Sequence, residues 1–267
     1  MSGLPTLVRH SLRRWRGFLA ASAMMLIAFQ FFVILAARSL ELSGRFQFLE
    51  AVMPAFVTEW SNMMAASFTG VVLFGYSHPL VQIFLIAMAI GLGSEPAAEI
   101  DTKFIDLVMS RPLPRAAPIN RTLVMLLLAA IGAMVCMLAA TWSGLRLLAP
   151  ASARQPQLRV VIALASNLAC LVLAWGGITV ALASVSRRRS TVAGAVGLLA
   201  FAMFVLDYVG RFWDAVAPIA RVSPFHYFDP FGLMGGRPLA LSDIVTLLAI
   251  FSVGGVIANV AYTWRDL

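Results

Sequence analysis

The sequence predicts an all-α membrane protein with six transmembrane helices, and three observations carry that prediction. Of 267 residues, 61% are hydrophobic and 12% charged, against roughly 25% charged in a soluble domain. Runs without a formal charge recur at 17–37, 60–94, 122–145, 160–186, 190–206 and 244–264. Crossing the hydrocarbon takes ~20 apolar residues, and the backbone of such a run satisfies its own hydrogen bonds only as a helix. The whole chain, 1–267, therefore reads as one transmembrane domain.

In chain order, Leu4, Leu7, Val8, Leu12 and Trp15 recur at spacings of three and four, with Arg9, Arg13, Arg14 and Arg16 between them. That pattern predicts an amphipathic helix at about 4–16, lying in the membrane interface before the chain turns into a first span at about 17–38; an ordinary positively charged flank of that span is the alternative. The second apolar run is 35 residues long and contains Tyr76-Ser-His-Pro79. Proline breaks a helix, so the span is expected at about 76–94, with 61–74 at the outer leaflet; a single kinked helix from about residue 65 is the alternative. His78 is expected at the outer mouth as a cap. Further spans are expected at about 121–146, 160–186, 190–209 and 244–264. Gly176, Gly177 and Ala181, then Ala193, Gly194, Gly197 and Ala200, then Gly254, Gly255 and Ala258, permit close helix packing within the bundle or between two copies. Cys136 and Cys170 lie inside apolar runs and read as packing residues.

With the N-terminus inside, twelve cationic residues fall on the inner segments (Arg9, Arg13, Arg14, Arg16, Lys103, Arg111, Arg115, Arg121, Arg187, Arg188, Arg189, Arg265) and eight on the outer ones. This bias predicts cytoplasmic N- and C-termini and places the net charge of +8 against anionic lipid rather than nucleic acid. Arginine outnumbers lysine nineteen to one, a usage compatible with a high-GC bacterial genome and hence with a bacterial inner membrane.

Several chemistries are excluded. Lys103 is the sole lysine, and no glycine precedes it in the eight residues that a phosphate-binding P-loop would use. His10, His78 and His226 are isolated, so no His-Glu-x-x-His zinc site exists. No Gly-x-Ser-x-Gly elbow is present. The chain is expected not to be an enzyme, and to hold no metal or cofactor of its own. Acidic residues avoid span centres, which argues against an ion-coupled carrier.

The most distinctive segment is Glu95 to Arg115. Pro96 in a first turn, acids at Glu95, Glu99 and Asp101, and prolines at 112 and 114 predict a helix over about 96–110. Ile100, Phe104, Leu107 and Val108 form an apolar stripe, and Glu99 can pair with Lys103. A helix of this kind suits docking into a groove on a soluble cytoplasmic partner; lying along the bilayer surface is the alternative. Near the C-terminus, Ser223-Pro and Asp229-Pro230 are turn formers around Phe225, Tyr227 and Phe228. They predict a short helix pair that lids the bundle from the outer leaflet, either as structure or as a gate.

The pattern Glu-x-x-x-Glu followed by Asp106-Leu-Val-Met-Ser-Arg-Pro-Leu-Pro-Arg115 resembles the cytoplasmic loop after the second span in permeases of the type-2 ATP-binding-cassette exporter class. Ser223-Pro-Phe-His-Tyr-Phe-Asp-Pro230 resembles that family's last outer-loop motif, and Ala261-Tyr-Thr-Trp-Arg-Asp-Leu267 its C-terminal ending. The order and spacing agree over essentially the whole chain. One departure is Lys103-Phe104, where family members usually carry Gly-Thr. The resemblance implies the permease subunit of an exporter, working as a homodimer or with a related permease. Separate nucleotide-binding subunits would supply ATP hydrolysis with Mg. Residues 4–16 would be an elbow helix. Glu95, Glu99, Ile100, Phe104, Leu107, Val108, Arg111 and Arg115 would couple to the ATPase. Ser223, Pro224, Phe225, Tyr227, Asp229 and Pro230 would be gate candidates. A membrane scaffold moved by the same type of ATPase, without transport, is the alternative.

Overall fold

A computed structural model describes residues 3–43, 67–102 and 114–264, and among them every regular element is helical. Six helical stretches are long and apolar enough to cross a bilayer, the all-α membrane architecture the sequence predicts. They are α1 (Gly3–Leu42), the pair α2 (Phe68–Ser77) and α3 (Pro79–Gly93), α5 (Ala117–Leu148), α6 (Leu158–Val185), α7 (Arg189–Gly210) and α10 (Leu241–Thr263). The short α4 (Glu95–Asp101) follows α3. Helix α8 (Ala217–Ala220), a 3-10 turn (Pro224–Tyr227) and α9 (Pro230–Met234) lie between α7 and α10.

The first helix differs from expectation. No separate elbow helix forms: α1 is continuous over its 40 residues, about 60 Å of helix, twice the hydrocarbon thickness. The sequence offers no break where the turn was expected. Gly17 is the only residue there with low helix propensity, and one glycine costs only about 1 kcal/mol.

The second span also starts earlier than the expected 76–94. Residues 68–77 form a helix that meets α3 at a break at His78, the kinked arrangement given as the alternative, and the two together make one stretch long enough to cross a bilayer. Proline at the first position of α3 removes a donor, and local groups satisfy what the break frees. The His78 Nδ1 accepts from Leu80 N (3.2 Å), Gln82 Nε2 donates to Ser77 O (2.7 Å), and Ser77 Oγ donates to Phe74 O (3.2 Å). Such local repair is what allows a proline break at membrane depth. Tyr76 and Thr141 share a hydrogen bond of 2.8 Å between their hydroxyls, joining this span to α5.

Helix α6 is central, packing on α3, α5, α7 and α10, and it contributes the fully buried Trp175. Outward faces carry Met24, Phe32, Ile83, Leu128, Leu198 and Val256, all exposed, a surface suited to lipid. The spans alternate in direction, so the start of α1 and the end of α10 share one end of the bundle. There Asn259 Nδ2 donates to Asn120 Oδ1 (3.1 Å) and Arg115 Nη1 to Thr263 O (3.3 Å). Both cysteines are free, with Cys170 buried.

Candidate functional site

The end shared by the two termini holds a buried charge cluster built around α4. Ser94 is the single residue between α3 and α4, and Pro96 opens the new helix. Glu95 and Glu99 lie one turn apart on one face, and that face points inward: each is 2% exposed. Arg121, on the first turns of α5 and 3% exposed, donates from Nη1 to Glu99 Oε1 at 2.6 Å and lies 3.9 Å from Glu95 Oε2. Glu95 Oε1 accepts from Trp15 Nε1 (3.1 Å) and Arg14 Nη1 (3.3 Å), both on α1. Arg189, opening α7, donates from Nε to Ser94 Oγ (3.2 Å) and from Nη2 to Gly91 O (3.1 Å), with its guanidinium 5.6 Å from the centre of the Trp15 ring. Two acids and three arginines thus tie α1, α5 and α7 to α4 and the bend that precedes it. Glu95 Oε2, Glu99 Oε2 and Arg121 Nε remain without a hydrogen-bond partner among the described residues, so charge pairing holds the cluster together more than saturated hydrogen bonding does.

Glu95 and Glu99, expected among the coupling residues, therefore face the interior of the bundle. The i,i+4 spacing that puts both on one face was legible, but their cation, Arg121, lies 22 residues beyond Glu99 and had read as an ordinary inner flank. Arg14, Trp15 and Arg189 were missed as site residues for the same reason. Ile100 is half-buried and packs on the core, and Arg115 is exposed. Phe104, Leu107, Val108 and Arg111 lie outside the described residues.

At the opposite end the outer motif forms two short capped helices. Ser223 Oγ accepts from Phe225 N (3.2 Å) and donates to Met203 O (2.9 Å). Asp229 Oδ1 accepts from Gly232 N (3.0 Å), and its Oδ2 pairs with Arg237 (3.3 Å). Pro224 and Pro230 each open a helix and are buried. Phe225 is wedged between Trp175 (ring centres 5.6 Å apart) and Phe204 (5.5 Å). Asn167 Nδ2 donates to Tyr227 O (3.0 Å), and the Tyr227 hydroxyl donates to Arg221 O (2.9 Å). Beside the motif, the buried Asp207 of α7 holds Arg211 at 2.8 Å and faces His226 Nδ1 at 3.6 Å.

The motif stands over two apolar cavities between α3 and α7, of about 300 and 360 Å³. Both are lined by Pro79, Gln82, Phe204 and Phe225. A polar cleft of about 420 Å³ lies beside them, bordered by Asp207, Arg211, His226, Asp229 and Arg237. Of the gate candidates, Phe225 lines both apolar cavities and Pro230 one of them, while Ser223 holds the backbone of Phe225 and Asp229 that of Gly232. Ser223→Ala removes both the cap and the tie to α7, and should cost about 1–2 kcal/mol, read as a lower midpoint in thermal unfolding of the purified protein.

No protein-family model matches the chain, and no curated protein matches it.

Proposed function

We propose that this chain is the transmembrane permease subunit of a type-2 ATP-binding-cassette exporter, driven by a separate ATPase that engages the segment from Glu95 to Arg115. The observation that carries this reading is α4 itself: a short charged helix directly after a span, at the end of the bundle where both termini lie, rooted by ion pairs in α1 and α5. A helix rooted in this way passes a push on its exposed end to several spans at once. The three sequence motifs and the lack of any P-loop support the same division of labour, in which ATP and Mg are bound by the partner subunit. The chain then sits in a bacterial inner membrane with cytoplasmic termini, working as a homodimer or with a related permease. The apolar cavities beneath Phe225 favour an amphiphilic cargo.

The test is transport. Proteoliposomes holding the chain and its ATPase should accumulate an amphiphilic fluorescent dye when given Mg-ATP, and should not with the ATPase alone. ATP hydrolysis stimulated by this chain, with no movement of dyes or fluorescent phospholipids, would overturn the exporter reading in favour of the scaffold.

A further inference from the structure

We propose that Arg189 is a positioning residue that latches the first turn of α7 onto the bend between α3 and α4, so that α7 moves with α4. This rests on α4 being the element that a partner moves, and it names the span that responds. Ser94 Oγ, which accepts from Arg189, donates in turn to Gly91 O (3.0 Å), the carbonyl that Arg189 also holds. Trp15, whose ring lies under the guanidinium, donates its indole N–H to Glu95. Each group that Arg189 touches is therefore part of the root of α4 or bonded to it.

Its electrostatic placement argues against a role in stabilising its own helix. Arg189 opens α7, where the helix dipole disfavours a cation. The same guanidinium binds a carbonyl in the last turn of α3, where the dipole favours one. A cation placed this way gains from the neighbouring helix and not from its own. Arg187 and Arg188 are exposed whereas Arg189 turns inward, so an inner-face charge bias accounts for the first two and leaves the third to be explained by its contacts.

Helix α7 is also the span best able to respond. Only 17% of its most apolar stretch is buried, against 72% for α6, and low burial marks elements that move at low cost. Its inner half is held by a narrow row, Val192, Val196 and Ala200, together with Arg189. Its outer half is held by Phe204 against Phe225 and by Ser223 on Met203 O. Ala200 and Phe204 face α3 across an apolar cavity, so displacement of the inner end of α7 changes the width of that cavity.

The test uses the full chain in lipid nanodiscs, with Cys136 and Cys170 replaced by Ala. Spin labels at Ala195→Cys and Val260→Cys report the inner ends of α7 and α10, and labels at Val205→Cys and Val245→Cys report the outer ends. Arg189→Gln should broaden the inner distance distribution and leave the outer one unchanged, with Arg189→Lys falling between. In the complex with its ATPase, Mg-ATP should shift the inner distance in the parent chain, and the shift should be lost in Arg189→Gln. Ser94→Ala, which keeps the arginine and removes its hydroxyl acceptor, should weaken the shift, and it is the variant to read if Arg189→Gln does not fold. An inner distribution as narrow in Arg189→Gln and Ser94→Ala as in the parent overturns the latch. Broadening without any nucleotide-driven shift in the parent overturns the coupling reading of α4 and leaves Arg189 a static anchor.

Discussion

Arg121→Met is expected to destabilise the folded chain by about 3–5 kcal/mol, the cost of breaking a buried ion pair from one side. The substitution keeps the volume and removes the charge, leaving Glu99 buried with no other cation within salt-bridge distance among the described residues. Glu95 suffers less, because Arg14, half-exposed to solvent, and the Trp15 indole still hold its other oxygen. This asymmetry orders the variants. Arg121→Met should be worse than Glu99→Ala, which leaves Arg121 near Glu95, and Glu95→Ala should be mildest. Adding Glu99→Gln to Arg121→Met should recover stability, because it removes the uncompensated charge that the first substitution created. A double-mutant cycle from denaturation midpoints gives the coupling directly. A coupling energy near zero between positions 99 and 121 would remove the ion pair from the account of how α4 is rooted.

The membrane helices were legible because lipid imposes one requirement on every residue of a span. The expected limits 160–186 and 190–209 lie within two residues of α6 and α7. Breaks were legible only as breaks. Tyr76-Ser-His-Pro79 announces that a helix stops, but whether the stop lies at the membrane surface or within the span depends on whether Gln82 and Ser77 can satisfy the freed carbonyls. Likewise the stripe from Leu4 to Trp15 has the same periodicity whether the helix lies in the interface or runs on from a span. The outer motif could be read because its chemistry is local: Ser223 and Asp229 cap helices that begin at the next residue. The cluster around α4 could not, since its acids and its arginines come from four elements far apart in sequence, and each alone has an ordinary explanation.

The same substitution, Gly→Ala, should carry opposite signs at different glycines of this bundle. Gly177 of α6 and Gly254 of α10 face each other at backbone contact. A Cβ on Gly177 would lie 2.6 Å from Phe251 Cα, and one on Gly254 would press on the Gly177 carbonyl oxygen. The obstacle in both cases is backbone, which cannot rotate away as a side chain can. The two helices must separate, and with no hydrophobic drive between helices in lipid, the van der Waals packing that holds them is what is lost. Gly177→Ala and Gly254→Ala should each cost about 1–3 kcal/mol, the range for overpacking, or more. Gly132 of α5 has nothing within 4 Å of its would-be Cβ, so Gly132→Ala should gain about 0.5–1 kcal/mol from backbone entropy alone. Thermal unfolding of the three variants in one detergent separates the two cases. If Gly254→Ala left the midpoint unchanged, the close approach of α6 and α10 would have to be given up as the contact that fixes α10 against the centre of the bundle.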